Sequence, residues 1–349
     1  MVSNHFAPLC MEERPINGIL EDFRIEFLAF WERLPNKAFF FVLLVAWLAL
    51  FQFFGNSTLG YVRSPSLMSW MLNAIHPSGD YFNSDEAHII VVPFLVLGLF
   101  WWKRKKLMEV PFKTWPPGLG IVAFALLLHL CACMIQQPKL SVIALFVGIY
   151  GLTGLAWGFR WLQVSFFPFF LFSFCLPLGD QAQPITFNLR LLVCWLVEKT
   201  SHYVLAVDIL REGTKLVDPT GTYQYEVAAA CSGMRSQMAT LILAITYAFV
   251  TFDTWWKRGL LIASAFPLAV LGNFLRMMAI ILASEFGGQE WGNYIHDGGP
   301  GGIFSLLPYV PAFAGLIIIG NWLRDSEPRP DLPNLEPVLP DEPVTAKAS

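Results

Sequence analysis

Ala38–Phe54 reads AFFFVLLVAWLALFQFF, an apolar run with no charge and a single amide, Gln52. A helix crossing a bilayer needs about 20 mainly apolar residues, and fewer where flanking groups snorkel to the interface. Runs of the same kind recur near 87–102, 118–135, 139–157 and 162–177, and after a more polar interval near 234–252, 259–284 and 304–323. The chain therefore reads as an all-α polytopic membrane protein with about eight transmembrane helices. Segment 185–206 is interrupted by Arg190, Glu198 and Lys199. It reads as an interfacial amphipathic helix rather than a ninth span.

Composition leads to the same class. Of 349 residues, 55% are hydrophobic and 14% charged, where soluble domains carry about 25% charged residues. Lys and Arg number 23 against 26 Asp and Glu. That balance excludes a nucleic-acid binder, which needs a basic excess, and the 15% aromatic content excludes a disordered scaffold. The six cysteines do not read as a disulfide framework, since Cys131, Cys133 and Cys175 lie inside apolar runs. No CxxC pair, HExxH or paired-histidine spacing occurs, so no metal or other cofactor is expected. Residues 1–37 hold six acidic residues between Glu12 and Glu32 and no apolar run, so no cleavable signal peptide is expected.

Orientation follows from where short loops place Lys and Arg. Lys103, Arg104, Lys105, Lys106 and Lys113 lie between the second and third runs, Lys257 and Arg258 between the sixth and seventh, and Arg324 and Arg329 after the eighth. Loop 55–86 has only Arg63, and loop 285–303 has no basic residue. Eight spans make these loops alternate with both termini in the cytoplasm. Residues 1–37 form a cytoplasmic N-terminal segment, 38–323 the transmembrane domain, and 324–349, rich in Pro and acidic residues, a disordered cytoplasmic tail.

The polar interval 178–233 then faces outside. Val207–Lys215, Asp218-Pro219-Thr220-Gly221 and Tyr223–Val227 read as strand, turn and strand. This small extracytoplasmic hairpin runs through three alanines into Cys231-Ser232-Gly233, where the sixth span starts. A thiol at a strand-to-helix junction lies beside free N–H groups and a partial positive charge, which favour thiolate. By position alone Cys231 reads first as a small packed residue next to two alanines, and as a nucleophile second.

Arg276 lies eight residues inside the seventh run, counted from Ser284, so about 12 Å below its outer end. A charge at that depth normally faces a protein interior or a wet cavity, or else snorkels. His296 precedes Asp297-Gly298-Gly299-Pro300-Gly301-Gly302 in the outer loop, as a proton carrier or an ordinary solvated histidine. The glycines allow close approach of a bound chain or serve as turn punctuation. The topology drawn from basic loops places Cys231, Arg276 and His296 at one membrane face. A thiol, a base and a fixed cation are the parts of acyl transfer through a thioester. Arg235, near Cys231, reads as a contact to a substrate carboxylate or thiolate, or as an interfacial anchor. His88 reads as structural, and His129, His202 and Glu226 have no nameable partner.

Glu226-Val227-Ala228-Ala229-Ala230-Cys231-Ser232-Gly233-Met234-Arg235-Ser236 resembles the signature of the exosortase/archaeosortase family. Asn273–Arg276 and His296-Asp297 followed by glycines resemble its second and third signatures, in order. Weaker resemblance runs through Ala87-His88, Val92-Pro93, Phe167-Pro168 and Leu176-Pro177, so that about 38–323 is covered. The third signature departs from the family pattern in its extra glycines and Pro300. The resemblance implies a membrane cysteine protease-transpeptidase acting on C-terminal sorting tails of the PEP-CTERM kind. It also implies Cys231 as nucleophile, His296 as proton-transfer partner and Arg276 as the third essential residue; Asp297, next to His296 in sequence, reads separately as its orienter. The implied partners are secreted proteins ending in a short motif, an apolar span and a basic tail, with lipid around the helices. The implied location is the bacterial cytoplasmic membrane, with the active site facing outside.

Two other readings remain. Ala230-Cys231-Ser232-Gly233 is one residue from the Gly-x-Ser-Gly of rhomboid-type serine proteases, with Ser232 and His296 as the dyad. A transporter or glycan-assembly protein would use Arg276 on an anionic substrate. It would need a polar partner for Arg276 in the middle of another span and an internal repeat, and the sequence shows neither.

Overall fold

The computed structural model describes residues 16–55, 66–75, 86–178, 183–226 and 234–325. Cys231, Ser232 and the tail beyond residue 325 lie outside the described residues. The helices are α1 (Ile16–Arg33), α2 (Lys37–Phe53), α3 (Leu67–Ile75), α4 (His88–Trp102), α5 (Arg104–Glu109), α6 (Gly118–Met134), α7 (Pro138–Trp157) and α8 (Phe159–Phe170). They continue with α9 (Gln183–Leu205), α10 (Met234–Thr251), α11 (Trp255–His296) and α12 (Tyr309–Asp325). Strands β1 (Leu210–Glu212), β2 (Lys215–Val217) and β3 (Gln224–Glu226) lie between α9 and α10.

Every apolar run of the sequence is helical, but the helices differ in reach. Among the described residues, α7, α11 and Gly302–Arg324 are each long and apolar enough to cross a membrane. The pair Phe23–Arg33 and Lys37–Phe53 makes a fourth if its 92° bend is counted as one broken span. Helices α4 and α6 and the stretch Phe159–Cys175 are apolar but shorter. The run 162–177 is not one regular helix, because α8 gives way at Leu171 to a 3-10 segment ending at Cys175. The N-terminal 37 residues contain α1, turned sharply away from α2 through Asn36 at φ 53°. Its charges interrupt the apolar pattern that marks the other helices, and α3, within the loop 55–86, is only nine residues long.

Close helix contact depends on small residues, as it does where lipid gives no hydrophobic drive to association. A Cβ on Gly148 of α7 would lie 1.9 Å from the Trp47 ring of α2, so only glycine lets that indole reach the α7 backbone. The indole N–H then donates to the Leu145 carbonyl at 3.0 Å. His129, unassigned from sequence, bridges α6 to α7 and α2, with Nδ1 3.1 Å from Ser141 Oγ and Nε2 3.1 Å from the Phe54 carbonyl. Helices α10, α11 and α12 share a second core around Ala244, Ala248, Leu261, Ala265 and Leu316. Helices α4, α8 and α10 meet through Val92, Val96, Phe167 and Ile245.

The polar interval folds into a three-stranded antiparallel sheet in the order β1-β2-β3. That is one strand more than the expected pair, because a turn at Gly213 (φ 66°) and Thr214 ends β1 at Glu212, and the chain then pairs again as β2 through Leu216 and Val217. Leu216 pairs across the sheet with Tyr225, and both are buried. Helix α9 packs Val193, Cys194 and Val197 into the cluster formed by these residues with Met277, Ile280 and Ile281 of α11. The sheet is therefore held against α11 rather than free in solvent.

Candidate functional site

The site is built on a break in α11. Gly288 has φ 69° and ψ −170°, outside helical space and in a region that essentially only glycine enters. A Cβ there would meet nothing within 4 Å, so the position requires glycine for its backbone angles alone. Beyond the break, residues 289–296 fold back beside 273–285. Gly292 lies so close that a Cβ would fall 2.0 Å from both Ser284 Oγ and the Tyr225 hydroxyl.

His296 therefore ends a helix rather than sitting in an outer loop, as the sequence reading had it. Its half-exposed ring has Nδ1 3.0 Å from Asp297 Oδ1, where a carboxylate can hold ring orientation. Arg276, on the other arm of the break, donates through Nη2 to the His296 carbonyl at 3.0 Å. Its Nε is buried and has no hydrogen-bond partner among the described residues. The fold thus joins two of the three residues singled out from sequence. After Asp297, Gly298 and Gly299 take positive φ and turn the chain into a 3-10 segment, Pro300–Leu306, within which Gly302 also has positive φ. Those glycines have a local use as a turn.

Strand β3 docks on the same break. The Tyr223 hydroxyl donates to Glu285 Oε2 at 3.1 Å, and the Gln224 amide donates to Gln289 Oε1 at 2.9 Å. The Tyr225 hydroxyl donates to the Gln289 carbonyl at 3.2 Å and accepts from Ser284 Oγ at 3.0 Å. The Tyr225 ring also stacks near that of His296, with centroids 6.3 Å apart. Burial raises the pKa of both phenols above the ordinary tyrosine value. The Glu285 carboxylate adds to this at Tyr223. At Tyr225 the Ser284 hydrogen bond opposes the rise, and the Asp297 charge reinforces it.

On the far side of the 227–233 segment, α10 begins at Met234 with half-buried Arg235 and buried Ser236. Ser236 Oγ donates to Asn273 Oδ1 at 3.3 Å, one turn of α11 from Arg276. Chemically, the described residues bring together a fixed cation, an imidazole with a carboxylate neighbour and a row of buried donors. The sequence assigns no role to Tyr225 or Gly288, and it marks Asn273 and Ser236 only as members of the matched signatures, without a role of their own. The Gly287-Gly288 pair inside an otherwise helical pattern was the readable signal for the break. No group of three or more metal-ligating side chains occurs among the described residues.

Among curated proteins and among solved structures, nothing matches the chain significantly. A protein family described as transmembrane exosortase matches residues 80–314. That interval starts before α4 and ends within α12, and it includes the sheet, both arms of the α11 break and every candidate residue. It exceeds half of the chain, and with the apolar helices it makes the protein a member of the transmembrane exosortase family.

Proposed function

We propose that this exosortase is an outward-facing cysteine transpeptidase that processes C-terminal sorting tails of secreted proteins. The single observation that carries the reading is the hydrogen bond from Arg276 to the His296 carbonyl, which fixes a cation and a proton carrier side by side. Cys231 is six residues beyond Tyr225 and five before Ser236, and both of those residues lean on α11 at that site. Family membership supports processing of sorting signals, and the apolar helices support a membrane location.

In this reading eight spans cross the bacterial cytoplasmic membrane with both termini inside. The substrate's own apolar tail enters the bilayer beside the helices. The Cys231 sulfur adds to the scissile carbonyl carbon, and the carbonyl π pair moves onto oxygen. Collapse breaks the C–N bond, and the leaving amine takes the proton held by His296. The thioester is then opened by an amine, hydroxyl or water that returns a proton to His296. Arg276 supplies fixed positive charge beside the reacting centre, and Asp297 orients the imidazole. Arg235 contacts the substrate side.

The test uses the full chain in nanodiscs and reporter proteins carrying motif–span–basic tails from secreted proteins of the same organism. Cys231→Ala should abolish tail cleavage, and Ser232→Ala should retain most of it, with a hydroxylamine-labile adduct on Cys231. Cleavage by Cys231→Ala together with loss in Ser232→Ala would replace this reading with a serine mechanism.

A further inference from the structure

Asn273 is 3% exposed, and its Nδ2 has no hydrogen-bond partner among the described residues. A buried amide donor without an acceptor is uncommon and calls for a use. Its orientation is not free, because Oδ1 accepts from Ser236 Oγ, itself 4% exposed, which leaves Nδ2 aimed in one direction. Asn273 and Arg276 are three residues apart, so they share one face of α11 a turn apart. Arg276 Nε is likewise buried and unpartnered among the described residues. Two donors therefore stand idle on one helix face. The amide that steers the first of them is anchored to the start of the helix that follows Cys231.

We propose that Asn273 is a catalytic residue whose Nδ2–H donates to the oxyanion formed when the Cys231 sulfur adds to an acyl carbonyl, a role that rests on the cysteine reading above. As the C–S bond forms, the carbonyl π pair moves to oxygen, and Nδ2–H hydrogen-bonds that oxygen without giving up its proton. The bond is released when the C–O double bond re-forms and the leaving group departs with the proton from His296. A neutral amide suits the task. It does not titrate, and in a dry site its pre-set dipole stabilises charge that exists only in the transition state. Ser236 is a positioning residue that keeps the amide from rotating.

The closing experiment compares two reactions of the same sulfur in the full-length protein in nanodiscs. Acylation by p-nitrophenyl butyrate, read as the pre-steady-state burst, passes through an oxyanion. Alkylation by iodoacetamide, read as label on the Cys231 peptide across a pH series, does not. Asn273→Leu should slow acylation by about 100-fold or more and leave the alkylation rate and its pH midpoint unchanged. Asn273→Asp keeps the shape and the Ser236 contact but places an acceptor where the donor was, and should lose acylation at least as severely. It decides the matter if the leucine variant does not fold. Ser236→Ala should give a smaller loss, again confined to acylation. Equal losses in both reactions would mean that Asn273 serves the thiolate or the local fold, and unchanged acylation would mean no role; either result overturns the inference. A burst that survives Cys231→Ala would instead reject the cysteine reading itself.

Discussion

Arg276 and His296 are twenty residues apart on one nominal helix, yet the guanidinium of the first is hydrogen-bonded to the carbonyl of the second. An unbroken α-helix would hold them about 30 Å apart. The reversal at Gly288 removes that distance, and strand β3 covers the junction through Tyr223, Gln224 and Tyr225. The site is thus assembled by one backbone angle pair and one strand, and each is separately testable.

Gly288→Ala adds a methyl group to open space but forces alanine into a region that costs of order 1–3 kcal/mol. We expect a lower thermal midpoint in detergent and a loss of tail cleavage larger than the loss of folded protein. Gly292→Ala should also be harmful, through collision with Ser284 and Tyr225 rather than through strain. A Gly288→Ala protein with unchanged melting and activity would mean that the break is not needed.

The tyrosines make strand docking sensitive to alkali. Their folded pKa values are raised, so the contribution of the neutral phenols is fully present below about pH 10, the ordinary tyrosine value. It is lost as pH rises through the raised folded values. Stability followed by intrinsic fluorescence should fall above pH 10, and Tyr225→Phe should remove its share of that dependence. The same change should cost about 0.5–1.5 kcal/mol at neutral pH, the net worth of a hydrogen bond. An unaltered alkaline profile in Tyr225→Phe would argue against this contact.

Proton transfer and fixed charge separate under a pH series. His296→Ala should lose most tail cleavage near neutrality and regain part of it as pH rises, because the thiol then ionises without help. Arg276→Ala should be inactive at every pH, since guanidinium does not exchange its proton in this range. Arg276→Lys keeps a charge but loses the planar fork that reaches the His296 carbonyl, and should remain strongly impaired. Full activity of His296→Ala at neutral pH would remove the proposed base.

Topology has its own reporters. Fusions after Lys106 and Arg258 should score cytoplasmic, and fusions near Gly221 and Gly298 exported, as the alternation of basic loops requires. A cytoplasmic score at Gly221 would put the sheet on the wrong side of the membrane for this chemistry.

Helices were legible wherever apolar residues ran on, because burial in lipid or protein leaves the same mark on a sequence. Where two environments alternate, the mark fades. Helix α1 mixes Phe23, Phe27 and Trp31 with Glu26 and Arg24, so no apolar run marks it. The turn at Asp218–Gly221 was readable because its residues have local preferences. The extra break at Gly213 was not, since one glycine in a polar stretch carries little information. Arg276 and His296 were visible singly as a charge in a greasy run and a histidine before glycines. Their contact was not visible, because it depends on the backbone angles of Gly288, twelve residues past one and eight before the other. Asn273 stood in the sequence as the first residue of a matched signature but without a role: an amide becomes informative only when its burial and its idle donor are known.

The acceptor that Arg276 has chosen is an uncharged one. A carboxylate partner would cancel the guanidinium's field, whereas a peptide carbonyl fixes the geometry and leaves the field intact. Among the described residues no acid pairs with it. No direct carboxylate contact among the described residues therefore neutralises that charge, and its partial burial limits the screening that counter-ions supply. A passing anion is drawn to it before any bond is made or broken, and added salt should weaken that pull far less than it weakens the exposed ion pairs elsewhere on the molecule.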